Sequence, residues 1–222
     1  RRWISIAGLS LQPSEFVKPT FAVVTAWLFA MRGDNGKEVG RTAAIVLYGL
    51  VVSLLLLQPD FGMTVVVSAV WFTQFFLAGL PMLWVAGFIA IGIGGAVGAY
   101  FLLPHVASRV DRFIDPSSGD SYQVMRSMEA FMNGGVLGRG PGEGSVKTVL
   151  PDAHTDFIFA VAAEEFGLIA CLVLLCLFAS IVLRGFSRVL REDNLFIMLA
   201  SAGLLVQFGL QVIINLASTL NM

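Results

Sequence analysis

Six long apolar stretches alternate with polar connections along this chain. They cover approximately residues 13–31, 42–57, 61–79, 82–103, 156–183 and 195–218. A helix needs about 20 apolar residues to cross the hydrocarbon core of a bilayer. The second stretch is short by this measure, and the fifth is long enough to tilt, break or begin outside the membrane. The pattern predicts an all-α, polytopic helical membrane protein with about six spans, and a large polar loop, 104–155, before the fifth.

The composition supports a membrane protein. The chain has 222 residues, of which 57% are hydrophobic and only 13% are charged. A soluble domain of this length would carry roughly twice that charged fraction. The net charge of −1 gives no basic field, so we expect no nucleic-acid partner. We expect one domain over residues 1–222 that is truncated at both ends.

Basic residues in the short connections predict the orientation. They are Arg32, Lys37 and Arg41 in the first connection and Arg184, Arg188 and Arg191 in the fifth. Cytoplasmic loops carry the excess of Lys and Arg, so both connections are expected on the cytoplasmic side. The loop 104–155 then lies outside the membrane. It also carries cations, but long loops are translocated largely regardless of their charge.

Ionisable residues at membrane depth are the informative ones, because they are costly there and commonly mark a cavity or site. Glu15 and Lys18 are three residues apart at the start of the first span, so they share one helical face. One interpretation is an interfacial ion pair that extends outward to water. The other is the charged wall of a water-filled cavity.

Two further polar groups interrupt the apolar pattern. Gln207, Gln211 and Asn215 are spaced by four and form one stripe, which must face protein or water. Hydrogen bonding between helices and the lining of a cavity are both compatible with this stripe. The segment 58–60, Gln-Pro-Asp, predicts a tight turn, with a functional role as the alternative.

The densest polar cluster begins where the large loop meets the fifth span. Asp156 lies at this junction, where burial would raise the pKa of its carboxyl and a helix N-terminus would lower it. Asp156 could therefore serve as a general base or as a helix cap. Glu164 and Glu165 lie about two turns further in, where a charge needs partners, and structural pairing with helix ends or arginines is one interpretation of both.

A glycine-rich segment, 134–147, precedes this junction. It lacks the Gly-Lys-Ser/Thr ending of a nucleotide-binding phosphate loop. With Arg139 and Lys147 it could hold a pyrophosphate, or it could be a flexible lid. His105 and His154 lack metal-ligand spacing, so no zinc site is expected, and no Gly-x-Ser-x-Gly nucleophile motif is present.

Several of these motifs together resemble the SEDS family, the shape, elongation, division and sporulation proteins. The motifs are Gln-Pro-Ser-Glu at 12–15 with Lys18, Gln-Pro-Asp-Phe-Gly at 58–62, Tyr-Gln at 122–123, Gly-Gly-x-x-Gly at 134–138, and His-Thr-Asp-Phe-Ile-Phe at 154–159. They occur in order over nearly the whole chain. Within the family, segments 138–147 and 150–154 are most similar to the division type.

The resemblance implies a ten-span bundle, of which this chain would hold spans four to nine. It also implies a glycosyltransferase that polymerises peptidoglycan glycan strands from lipid II at the outer face of the membrane during cell division. A lipid II flippase and a non-catalytic division scaffold are the competing hypotheses.

The resemblance further implies the roles of individual residues. Asp156 would deprotonate the GlcNAc 4-hydroxyl, whose oxygen attacks C1 of the donor MurNAc with inversion and expels undecaprenyl pyrophosphate. The implied substrate-binding residues are Glu15, Lys18, Arg109, Arg112, Gln123, Arg139, Lys147, His154 and Thr155. A divalent cation, Mg²⁺ or Mn²⁺, would assist the leaving group, although the sequence shows no ligand set for it.

Partners and location also follow from the resemblance. The implied partners are lipid II, the undecaprenyl-pyrophosphate-linked glycan, a class B penicillin-binding protein, other division proteins and membrane lipid. The implied location is the bacterial cytoplasmic membrane at the division septum.

Overall fold

The structure is a computed structural model. It describes residues 4–6, 9–31, 36–58, 61–79, 122–146 and 157–220, with isolated positions between 86 and 107. The predicted span 82–103 lies largely outside these residues.

The described part of the chain is almost entirely helical. Its helices are α1 (Pro13–Ala30), α2 (Gly36–Leu57), α3 (Phe61–Leu77), α4 (Tyr122–Gly134), α5 (Ile158–Val189) and α6 (Leu195–Leu220). Strands β1 (Ile4–Ile6) and β2 (Leu9–Leu11) form a short antiparallel hairpin ahead of α1, with Ile4 opposite Leu11. The all-α, polytopic prediction is confirmed, and the hairpin is an addition that the hydrophobic pattern did not predict.

Among the residues that the structure describes, three helical segments are long and apolar enough to cross a membrane: Glu38–Leu57, Ile158–Val189 and Leu195–Ala217. A shorter apolar segment, Gly62–Leu77, lies in α3. The second span is longer than the apolar stretch 42–57, because α2 begins at Gly36 and includes charged residues in its first turns. Charged side chains are tolerated at helix ends, where they reach the membrane interface.

The described chain forms two compact units. The first contains residues Arg1–Val85 and Ser180–Gln211, and the second contains Ala86–Ala179 and Val212–Met222. Helices α5 and α6 each contribute residues to both units.

An aromatic cluster joins α2 and α3 in the first unit. Trp71 is completely buried, and its ring stacks on Tyr48 with centroids 4.5 Å apart. The Trp71 indole N–H donates to the Ala44 carbonyl at 3.3 Å, and the Tyr48 hydroxyl lies 2.9 Å from Ser68 Oγ. Each ring therefore buries its apolar body and satisfies its polar atom on the neighbouring helix.

A single amide joins α1, α3 and α6. Gln74, completely buried in α3, donates from Nε2 to the carbonyl oxygens of Ala22 at 2.6 Å and Leu199 at 3.1 Å. The Thr25 hydroxyl lies 2.6 Å from Gln74 Oε1. Gly203 lies against the Gln74 side chain, where a β-carbon would clash with the amide. Small residues and interhelical hydrogen bonds of this kind drive helix association in membranes.

Of the predicted turn between α2 and α3 the structure describes only Gln58; Pro59 and Asp60 lie outside the described residues. Helix α2 ends at Leu57, and the Gln58 amide donates to the Leu54 and Leu55 carbonyl oxygens at 3.2 and 3.1 Å. Helix α3 begins at Phe61, immediately after the predicted break.

We predict that Gln74→Ala destabilises the protein by roughly 1–3 kcal/mol, because it leaves a void and removes the hydrogen bonds that join three helices. Reversible unfolding in detergent micelles measures the change. Gln74→Met keeps the volume and should recover only the packing contribution. Val65→Ala, an exposed position on the same helix, is the control. An effect of Gln74→Ala no larger than the control would contradict the role of the amide.

Candidate functional site

A buried lysine marks the first polar site. Lys18 is only 4% exposed, and its Nζ lies 2.7 Å from Glu15 Oε2. The same Nζ donates to Gln211 Oε1 in α6 at 3.1 Å. A spacing of three residues thus brings the two charges of Glu15 and Lys18 together on α1. The third partner, Gln211, comes from α6 and lies 193 positions later in the sequence. The interpretation that Lys18 extends outward to water is wrong, because its ammonium is enclosed by protein.

Glu15 is the open side of this site. It is 50% exposed, whereas Lys18 is buried. Glu15 also lies in the first turn of α1, where a negative charge favourably meets the exposed amide dipoles of the helix. The pair therefore presents a carboxylate to the surroundings and keeps its cation fixed behind it, and its role as a cavity wall stays a prediction.

Gln211, on the polar stripe of α6, is exposed, but its Oε1 accepts a hydrogen bond from Lys18 of α1, which supports the interhelical hydrogen-bond alternative at that position. One turn earlier, the Gln207 side-chain oxygen is buried and has no hydrogen-bond partner among the residues that the structure describes. A buried acceptor without a partner costs free energy. It is also an available binding position for a donor.

The second polar site, in the other unit, is a carboxylate clamp around Glu164. The Glu164 carboxylate is completely buried and accepts hydrogen bonds from the amides of Ser145 at 3.1 Å and Val146 at 3.0 Å. The Ser145 hydroxyl donates to it at 3.1 Å. The Arg139 guanidinium lies 3.7 Å from the same carboxylate and remains 43% exposed. The prediction of structural pairing for Glu164 is confirmed.

A break in α5 makes room for this clamp. Gly167 has φ 79° and ψ 179°, a conformation that is essentially restricted to glycine. The break frees helix carbonyls that the glycine-rich segment then binds: the Arg139 amide donates to the Glu164 carbonyl and the Gly140 amide to the Glu165 carbonyl, both at 3.0 Å. Beyond the break, the Leu168 amide donates to the Gly135 carbonyl at 3.0 Å.

Glycines permit the close contact between this segment and the helix. A β-carbon at Gly134 would overlap the Ala163 carbonyl, and one at Gly138 would overlap the Glu165 carbonyl. Gly138 also has φ +82°. The described part of the segment, 134–146, is thus fixed to α5 by backbone hydrogen bonds. The alternative of a flexible lid is wrong for these residues.

The predicted site residues are distributed unevenly over the described structure. Glu15 and Lys18 are brought together, whereas Arg139 binds Glu164. Gln123 lies in α4, but its side chain is outside the described residues. Also outside them are Arg109, Arg112, Lys147, His154, Thr155 and Asp156.

The sequence analysis missed Gln74 and Ser145. Gln74 is an isolated amide side chain inside a strongly apolar helix. A polar residue in such surroundings could have indicated a hydrogen bond between helices. Ser145 had no signal, because its role depends on a carboxylate 19 residues away.

The described residues contain no cluster of three or more His, Cys, Asp or Glu side chains that could hold a metal ion. The carboxylate of Glu164 is occupied by amides, a hydroxyl and a guanidinium.

Comparison with known sequences places the chain among bacterial cell-cycle proteins. The model of the FtsW/RodA/SpoVE family, described as "cell cycle protein", matches residues 1–222. A probable peptidoglycan glycosyltransferase FtsW of Caulobacter vibrioides is 45% identical, with coverage of 100% of this chain and 57% of the relative. Its counterpart in Coxiella burnetii is 36% identical, with coverage of 99% and 61%. The chain thus spans less than two thirds of these relatives.

Two solved structures share the fold. One is a peptidoglycan synthase complex, described for its coordination of polymerization and crosslinking; its TM-score is 0.77 at 28% identity, with coverage of 99% of this chain and 62% of that chain. The other is a mutant of the rod shape determining protein RodA of Thermus thermophilus, with a TM-score of 0.57, 26% identity and coverage of 99% and 58%.

We predict that Glu164→Ala destabilises the protein by roughly 3 kcal/mol, because the Ser145 and Val146 amides lose a charged acceptor. Amide hydrogen exchange should accelerate at these two residues first. Glu143→Gln, which changes an exposed carboxylate on the same segment, is the matched control and should leave exchange unchanged. Unchanged protection of Ser145 and Val146 in Glu164→Ala would show that the clamp does not hold the segment.

Gly167→Ala should cost at least about 1–3 kcal/mol, because an L-residue is strained in this backbone conformation. Its β-carbon would also meet the backbone of the glycine-rich segment. Thermal unfolding in detergent measures the loss. Gly49→Ala is the control, since Gly49 lies in α2 with open space around it. Equal stability of both variants would mean that the break in α5 is not required.

Proposed function

This chain belongs to the FtsW/RodA/SpoVE family of cell cycle proteins, and from that membership we propose that its full-length protein is a peptidoglycan glycosyltransferase. It joins lipid-linked disaccharide units into glycan strands at the outer face of the membrane during cell division. Support comes from the names of the relatives and from the match to a peptidoglycan synthase complex. The activity is that of the whole protein, since the chain spans 57% and 61% of the two relatives.

The observation that carries this proposal is the enclosed Lys18 with its half-exposed partner Glu15. An ion pair at the start of an apolar helix is costly, and such pairs commonly mark substrate pathways. A lipid-linked saccharide has an apolar chain, a pyrophosphate and a sugar, so its binding site must present polar groups beside lipid. Glu15, Lys18 and Gln211 provide such a polar wall within α1 and α6.

Asp156 is the proposed general base. Its carboxylate takes the proton of the acceptor GlcNAc 4-hydroxyl, and the oxygen forms a bond to C1 of the donor MurNAc. The bond from C1 to the pyrophosphate oxygen breaks with inversion, and undecaprenyl pyrophosphate leaves with the electron pair. A positioned base of this kind contributes about 10²–10⁴-fold to a rate.

Cations are the proposed partners of the departing pyrophosphate. We assign the pyrophosphate to Arg109, Arg112 and Lys147. Arg139 is left out of this set because its guanidinium already lies 3.7 Å from the Glu164 carboxylate. Gln123, His154 and Thr155 are the proposed contacts to the sugars. Mg²⁺ or Mn²⁺ would lower the cost of the charge that develops on the leaving group.

The proposed setting is the bacterial cytoplasmic membrane at the division septum. The match to a synthase complex that coordinates polymerization and crosslinking supports a crosslinking partner, which we assign to a class B penicillin-binding protein.

Polymerisation of lipid II by the reconstituted full-length protein with its penicillin-binding partner tests the proposal. Transpeptidation is blocked, and glycan products are resolved by length. Asp156→Asn should reduce the polymerisation rate by about 10²–10⁴-fold, because it removes the base but keeps the shape. Asp152→Asn, four residues earlier in the same segment, is the matched control and should retain activity.

The remaining outcomes distinguish the competing functions. Equal activity of Asp156→Asn and wild type would contradict the role of Asp156 as base. Absence of polymer from the folded wild type would contradict the enzyme, and transport of lipid II across vesicles would then favour a flippase. Absence of both activities would favour a scaffold.

A further inference from the structure

Helix α4 has two faces of different character. The inner face is buried: Ser127 and Ala130 are completely enclosed, and Ala130 packs in a core with Val146, Phe157 and Ala160. On the other side, methionines spaced by three and four residues form one exposed stripe: Met125 at 66%, Met128 at 46% and Met132 at 82%. The helix therefore has an apolar outer stripe that the described residues leave exposed.

The apolar surface continues beyond the helix. Val136 is 60% exposed and Leu137 is 81% exposed, in the turn that follows α4. We refer to Met125, Met128, Met132, Val136 and Leu137 as the methionine face. A continuous apolar surface of this kind normally meets another apolar phase or a partner.

The backbone fixes one end of the methionine face at the start of a membrane span. The Leu168 amide donates to the Gly135 carbonyl, and the Ile169 amide donates to the Val136 carbonyl. Leu168 is the first residue after the break at Gly167. The segment 168–189 that follows has the length of a span, roughly 33 Å at 1.5 Å per residue.

The surface of that segment is apolar and exposed. Its first two turns expose apolar side chains, with Leu168 at 49%, Ile169 at 51%, Leu172 at 51% and Val173 at 62%. In a helix that crosses a bilayer, such exposed side chains contact acyl chains. Gly135 and Val136 are therefore joined by backbone hydrogen bonds to the start of this apolar segment of α5, and Leu137 follows them directly in the chain.

The other end of α4 is fixed at the end of a second spanning helix. The Ser127 hydroxyl donates to the Thr219 carbonyl at 2.6 Å. Thr219 follows the apolar span Leu195–Ala217 by two residues. Both attachments thus place α4 at the ends of spanning helices.

We propose that α4 is an interfacial helix whose methionine face rests in the outer boundary of the lipid bilayer. Lipid is the occupant because the face is continuous with the lipid-facing surface of α5 and is fixed at the ends of two spans. The ion pair of Arg126 and Glu129, 2.5 Å apart and partly exposed, flanks the stripe where headgroups and water meet. Such helices bury their apolar face about 5–10 Å into the boundary. The proposal does not depend on the glycosyltransferase activity.

Site-directed spin labelling of the full-length protein in lipid nanodiscs tests this placement. Single cysteines are introduced at Met128, Met132 or Leu137 after Cys171 and Cys176 are replaced by alanine. Power saturation then compares the accessibility of each label to oxygen, which concentrates in lipid, and to a water-soluble nickel chelate. Leu172 provides the lipid reference, and Glu143 provides the water reference. Glu129 is the matched control on the same helix.

Support requires a several-fold higher oxygen-to-nickel ratio at Met128, Met132 and Leu137 than at Glu129 and Glu143, approaching that at Leu172. Labels at Met128 and Met132 that are as accessible to nickel as Glu143 would overturn the proposal. Protection that appears only when a penicillin-binding protein is added would also overturn it and indicate a protein interface. Leu137 lies outside α4, so its label reports even where a label disturbs the helix.

Discussion

The constraint on which this structure depends is that polar groups inside an apolar chain must find partners within the chain. Three side chains show how it is met. Gln74 donates to backbone carbonyls of two other helices, Lys18 is held by Glu15 and Gln211, and Glu164 accepts from two amides and a hydroxyl. Each of these side chains forms hydrogen bonds with specific partners, whereas apolar contacts alone would not select one neighbouring segment over another. The hydrogen bonds therefore determine which elements pack together.

The break in α5 and the glycine-rich segment depend on each other. Gly167 interrupts the helix and frees the carbonyls of Glu164 and Glu165, which would be costly without donors. The segment 134–146 supplies amides to them, and its glycines allow the close approach. The large loop before α5 therefore contains a fixed portion, residues 134–146. In the sequence this portion lies close to Asp156, the proposed general base. A preorganised scaffold of this kind suits group transfer, in which a base and cations must be held in place.

The proposed interfacial position of α4 fits the same arrangement. Helix α4 contributes Ala130 to the core that contains Val146, at the end of the clamped segment, and Phe157, at the start of α5. An outer face embedded in lipid would hold this core at the membrane surface. The proposed lipid-linked substrate would reach the site from that surface, because its polyprenyl chain remains in the bilayer. The clamp and the methionine face would then fix the outer loop from two sides.

The sequence by itself determined the apolar helices α1 to α3, α5 and α6 and the adjacency of Glu15 and Lys18, because these follow from local hydrophobicity and helical spacing. It also indicated the family through motifs in order along the chain. Tertiary structure alone decided that Lys18 is enclosed, that Gln211 is its partner and that the glycine-rich segment is fixed to α5. The physical reason is range: hydrophobic periodicity acts over a few turns, whereas these contacts join residues 19 to 193 positions apart. Only packing of the folded helices brings such partners together.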